Sequence, residues 1–306
     1  MGRQKRVAIQ GVEAFALATI ILVMSAAASA APAISFEDRD WGRVGIVPLE
    51  TAPYPHESRA DGFEGRSAHF PRDPHYVDSS AGFLVPNGYT PTDTVDLVVW
   101  FHGHQSELAP LIPQYFLGEQ LEGSGVNAIL IAPQGPKMAS DSRNGKLDEP
   151  GGFTAFVEEC LAALHASGVT TTETLGSVVL AGHSGGFHTV GQIISNEDLI
   201  DHVREAYLFD ATYAQLENYA ALAERPGTRL RSIFTAHLAE ENVDLMCDLQ
   251  HRGVPYVFLH DELVTDEILA SEPVVFMHTD LRHLPLVFET KNLERWLRGS
   301  TLSKRP

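Results

Sequence analysis

A serine hydroxyl attacks a carbonyl only when a base takes its proton and a carboxylate orients that base. The segment Ser177 to Ile194, SVVLAGHSGGFHTVGQII, holds a serine suited to that chemistry. Val178, Val179 and Leu180 form a short apolar run that predicts a buried strand, and GHSGG follows at once, before a helix-like segment from Phe187 onward. Gly182, Ser184 and Gly186 fill the fixed places of G-x-S-x-G, with His183 and Gly185 in the variable ones. So tight a turn strains the central residue and brings helix against strand, so its flanking positions must lack side chains while the hydroxyl projects upward. Three specified residues are a weak filter, but their place directly behind an apolar strand is a strong one.

The base must come from fourteen histidines. In turns of this type the acid usually follows the serine and the histidine comes last, each in a loop after a later strand. His283 meets that order: it lies in HTDLRHLPLVF, between the last apolar strand and the final helix-like segment. His278, at the strand end, reads as structural. Asp210 closes the apolar run of LFDATY, where a carboxylate is costly unless it is paired or hydrogen-bonded. It is the candidate acid, with a helix N-cap or turn aspartate as the plainer reading. Asp261 and Glu262, after VPYVFLH, compete with it. The oxyanion of an acyl-transfer intermediate needs two backbone N–H donors, for which Gly185 and His104 are the candidates. His102 and His104 could share a metal ion with His183 or His188, but no carboxylate–histidine ligand spacing accompanies them, and the chemistry calls for neither metal nor organic cofactor.

These residues need a scaffold of strand ends. Leu97 to Phe101 predicts a central strand ending in His102-Gly103-His104, with a helix near Leu111 to Leu121, and AILIAP gives another buried strand. A polar loop from Gln134 to Gly152 should border the site. The stripe Phe153, Phe156, Val157, Cys160, Leu161, Leu164 predicts an amphipathic helix over Phe153 to His165 that stops at Gly168. Beyond the serine unit, strands are expected at AYLFDATY, Leu230 to Thr235, VPYVFLH and PVVFMHT, with helices over Glu240 to Arg252 and Val287 to Leu297. Strands alternating with helices predict an α/β fold whose mostly parallel central sheet carries helices on both faces. The expected organisation is a secretory signal peptide over residues 1–30, an N-terminal arm with short strands over 31–80, and a catalytic domain over 81–300.

The signal peptide rests on Arg3, Lys5 and Arg6, the apolar run Ala14 to Met24, and Ala28-Ser29-Ala30 before Ala31. It implies a secreted or periplasmic protein without stable membrane association once the segment is removed. Forty acidic against 22 basic residues give a formal net charge of -18, which excludes nucleic acid as a natural partner. Cys160 and Cys247, the two cysteines, both read as buried small hydrophobes, and export would permit a disulfide between them.

FHGHQ, GHSGG and HTDLRHLP together resemble the α/β-hydrolase superfamily of serine hydrolases, over roughly Ser80 to Arg298. The resemblance implies Ser184 as nucleophile, His283 as general base and acid, Asp210 as orienting carboxylate, and the amides of His104 and Gly185 as the oxyanion hole. Its layout is similar to secreted esterases of the polyester-depolymerase and feruloyl-esterase kind, which implies a small-molecule or polymeric ester as substrate. One departure stands out: many superfamily members carry the acid after the second strand beyond the serine, whereas Asp210 follows the first and the second runs into TAHLAEEN.

Overall fold

The computed structural model describes Gly2 and residues 31–306 except 196–198. Apart from Gly2, the expected signal peptide lies outside the described residues. Residues 31–306 form one unit, and no helix among the described residues is long and apolar enough to cross a membrane.

Among the described residues, twelve strands and nine α-helices make up this unit. The N-terminal part contributes β1 (Glu37–Arg39), β2 (Gly42–Pro48), the small hairpin β3 (Phe63–Glu64) and β4 (His69–Phe70), the single turn α1 (Arg72–His75), and β5 (Ser80–Pro86). There follow β6 (Val95–Phe101), α2 (Leu108–Gln114), α3 (Leu117–Ser124), β7 (Ala128–Pro133), α4 (Gly152–Ala166), β8 (Leu175–His183) and α5 (Phe187–Ser195). The C-terminal part comprises β9 (Val203–Phe209), α6 (Leu216–Glu224), β10 (Arg229–Phe234), α7 (Ala239–Arg252), β11 (Val257–His260), α8 (Asp266–Ser271), β12 (Val274–His278) and α9 (Asn292–Arg298).

Ten strands form one sheet in the order β1-β2-β5-β7-β6-β8-β9-β10-β12-β11. From β7 to β11 every pairing is parallel, while β1, β2 and β5 join antiparallel. The expected α/β class is therefore the observed one, and the N-terminal strands extend the sheet: β2 pairs with β5 from Gly42↔Pro86 to Pro48↔Ser80.

Strand side chains alternate between faces, so each strand feeds two cores. Leu97, Val99 and Phe101 pack with Phe156 of α4, Val190 of α5, Tyr219 of α6 and Leu249 of α7. Val98 and Trp100 pack with Leu111 of α2, Leu121 of α3, Leu269 of α8 and Trp296 of α9. Both faces being covered explains why Leu97–Phe101 of β6 and all of β7 read as unbroken apolar runs.

Three expectations need correction. The helix expected over Leu111 to Leu121 is two helices: Pro113 cannot donate to the helical ladder, Phe116 adopts φ 52°, and the chain turns to bring Gly118 under the Trp41 ring. The terminal helix expected from Val287 is a 3-10 turn over Pro285–Val287 and then α9, separated by Lys291 at φ 50°. Cys247 is exposed rather than buried and, like the buried Cys160, is a free thiol. Val243, about one turn earlier on α7, is likewise 48% exposed, so Cys247 stands on the solvent side of that helix.

The turn between β8 and α5 packs tightly against β6 at Gly186, where a Cβ atom would stand 2.5 Å from the carbonyl oxygen of Phe101. That oxygen belongs to a central strand and cannot give way. Gly186→Ala should therefore destabilise the fold by about 1–3 kcal/mol, read as a lower urea midpoint with unchanged slope. An unchanged midpoint would mean that the turn and β6 are not packed this closely.

Candidate active site

Ser184 sits between the end of β8 and the start of α5 with φ 52°, a left-handed conformation in which a non-glycine residue is strained. Its neighbours show why small residues surround it. A Cβ on Gly103 would lie 2.8 Å from that of Ser184, and one on Gly185 would lie 2.5 Å from Cδ2 of His104. Gly185 and His104 are thus packed against each other beside the serine. Ser184 itself is half-buried and lines a cleft of about 440 Å3 with His104, Tyr115, Met138, His183 and His283 among its walls.

Asp210 follows β9 and is fully buried. Its φ of 46° turns it off the strand direction, and its carboxylate reaches the end of β10. There Thr235 donates its backbone N–H to Oδ1 at 2.9 Å and its hydroxyl to Oδ2 at 3.0 Å. The remaining partner is His283, whose Nδ1 lies 2.6 Å from Oδ2. Burial pushes the Asp210 carboxyl upward, but these hydrogen bonds, with the His283 imidazole foremost, outweigh it and hold the group below the usual carboxylate range. An ionised carboxylate can only accept, so Nδ1 of His283 carries a proton, and in the neutral ring Nε2 is then the nitrogen with the lone pair. The His283 side chain is 41% exposed, and its ring shares the cleft wall with Ser184.

His183, in the variable place before the serine, supports the histidine loop. Its ring stacks at 4.6 Å from that of His283, and its Nε2 lies 3.1 Å from the His283 carbonyl oxygen. Burial, and then the proximity of His283, lower its pKa to about 3, so it stays neutral and donates this hydrogen bond throughout the working range. Tyr213, three residues past Asp210, packs its ring against that of Phe187, three residues past Ser184. Neither contact has a signal in the sequence, since each joins residues far apart in the chain.

The competing residues lie elsewhere. Asp261 accepts from the Thr279 hydroxyl at 2.9 Å and from the Glu262 N–H at 3.0 Å, at the β11–β12 end of the sheet. Glu262 is exposed, and His278 packs against Phe234 and His260. The four histidines weighed as metal ligands are engaged separately. His102 accepts the Gly135 N–H at Nε2 and approaches the Gly103 carbonyl through Nδ1. His104 bonds Ser142, His183 faces the histidine loop, and His188 has its Nδ1 3.5 Å from the Gln215 side-chain amide. The loop expected at the site does border it: Met138 lines the cleft, and Ser142 holds His104.

The sequence matches no family model and no curated protein. Among solved structures, a ferulic acid esterase is similar with a TM-score of 0.48 at 13% identity, over 72% of this chain and 90% of that one. FphF, a fluorophosphonate-binding serine hydrolase of Staphylococcus aureus, gives 0.46 at 11% identity, over 74% and 94%. LpqC, a poly(3-hydroxybutyrate) depolymerase of Bordetella parapertussis, gives 0.42 at 12% identity, over 86% and 87%.

A carboxylate held below its unfolded pKa of about 3.9 lends stability that is present above that value and lost as pH falls through the folded one. Asp210→Asn should therefore cost stability near pH 6, and the gap should narrow as pH falls below about 3.9, measured by urea unfolding across that range. A difference that stays constant across this range would show that the Asp210 charge is not stabilised by the fold.

Proposed function

We propose that the protein is a secreted or periplasmic serine hydrolase that cleaves carboxylic esters, small or polymeric, through an acyl-serine intermediate. One observation carries the reading: a buried, ionised Asp210 holds Nδ1–H of His283 at 2.6 Å while the other face of the imidazole opens on the cleft that Ser184 lines.

In this mechanism His283 Nε2 takes the hydroxyl proton as Ser184 attacks the ester carbonyl, and Asp210 stabilises the imidazolium that forms. The backbone N–H groups of His104 and Gly185 receive the developing oxyanion. His283 then protonates the departing alcohol, and water, activated by the same imidazole, releases the acid. The strained φ of Ser184 keeps the hydroxyl at the cleft rather than folded into α5. Pro110, Leu111, Leu284 and the half-exposed Met138 offer an apolar wall for one side of the ester. The segment between Thr212 and Gly227 forms α6, whose Tyr219, Ala220 and Leu222 belong to the core. Its engagement there supports an open mouth suited to short acyl groups or bulky, solvent-exposed esters.

The test is active-site labelling with a fluorophosphonate, run beside a panel of esters and amides on four proteins. The parent protein should be labelled and Ser184→Ala should not. Asp210→Asn should keep a normal circular dichroism spectrum but lose up to about 10⁴-fold in kcat, because the imidazole loses its tautomer and its charge partner. Asp261→Asn should stay within about tenfold of the parent, because its carboxylate bonds Thr279 rather than His283. An unlabelled parent protein would end the proposal, and a reversed ranking of the two aspartates would move the acid to Asp261.

A further inference from the structure

His260 ends β11 and His278 ends β12, and the two are register partners across the parallel pair. Their side chains therefore stand on the same face, with ring centroids 5.8 Å apart. Asp280, two residues beyond His278, turns back over them. One donor atom from each of the three lies within 4.8 Å of the others, and His260 Nε2 is 3.5 Å from Asp280 Oδ2. That separation is close to the edge of a tetrahedron with ligand bonds of about 2.1 Å, roughly 3.4 Å.

A second observation bears on which nitrogen of His260 is available. Its Nδ1 lies 3.1 Å from Oδ1 of Asp261, a carboxylate whose other oxygen accepts the Thr279 hydroxyl at 2.9 Å. A proton on Nδ1 would face Asp261, and in that tautomer the Nε2 lone pair faces Asp280. A carboxylate behind an imidazole whose far nitrogen points at further N and O donors is the outer-shell arrangement of histidine metal ligands. Both imidazoles are half-buried, while the Asp280 side chain is 89% exposed and free to close on an ion.

We propose that His260, His278 and Asp280 form a binding site for a divalent transition-metal ion of the Zn2+ type, with water in the remaining position. Two nitrogens and one carboxylate oxygen suit such an ion better than Ca2+ or Mg2+, which take oxygen ligands. Occupancy ties β11, the edge strand of the sheet, to the Thr279–Leu284 segment that carries His283. The site stands apart from the cleft and does not depend on the hydrolase reading.

Isothermal titration of the untagged protein with Zn2+ tests it, beside thermal melting with and without the ion. The parent protein should bind one equivalent and melt at a higher temperature. His260→Gln and Asp280→Ala should each lose that equivalent and the upward shift, while melting like the parent in its metal-free state. Asp261→Asn should weaken binding by about 10–100-fold without removing a ligand. Failure of the parent to bind, or binding undiminished in His260→Gln and Asp280→Ala, would overturn the proposal; in the second case the ion sits on other histidines.

Discussion

The structure of the site depends on keeping one carboxylate charged where water does not reach it. Asp210 has no exposed surface, and a buried charge is tolerated only when its oxygens are fully engaged. Thr235 supplies a backbone N–H and a hydroxyl, and His283 supplies the remaining donor. That requirement dictates geometry. β9, β10 and β12 must lie side by side in parallel register, so that an aspartate after the first, a threonine after the second and a loop from the third meet at one end of the sheet. β8 is the next neighbour on the other side, and it delivers Ser184 to the same end.

The position of Asp210 has a physical account in these terms. The place after the second strand beyond the serine, where the resemblance called for a carboxylate, holds Thr235. The left-handed backbone of Asp210 swings the carboxylate from the end of β9 to the end of β10, onto the threonine that stands there. His283, arriving from β12 on the far side of β10, then meets it. The same imidazole is braced below by neutral His183, whose bond to the His283 carbonyl fixes the loop without bringing a charge near the ring.

The strand–turn–helix around Ser184 was legible because each of its requirements is local: an apolar run, glycines where side chains would collide, then a helical period. Asp210 and His283 are nameable as candidates because they end or follow apolar strands, but that Asp210 rather than Asp261 meets His283 depends on strand order, which β11 conceals by lying at the sheet edge outside β12. Thr235, Tyr213 and His183 act through contacts between distant parts of the chain, and no short pattern marks such contacts. The break between α2 and α3 was hidden for a related reason. Leu111, Leu117 and Leu121 all reach the same core, so apolar spacing continued across a bend that Pro113 and Phe116 impose.

The coupling of Asp210 to His283 is most directly measured by a double-mutant cycle on kcat for a simple ester, using Asp210→Asn, His283→Ala and the pair. If the carboxylate acts only through the imidazole, the double variant should be no slower than His283→Ala alone, because removing the base leaves Asp210 nothing to orient. Losses that multiply in the double variant would show the two residues acting independently and would contradict the account.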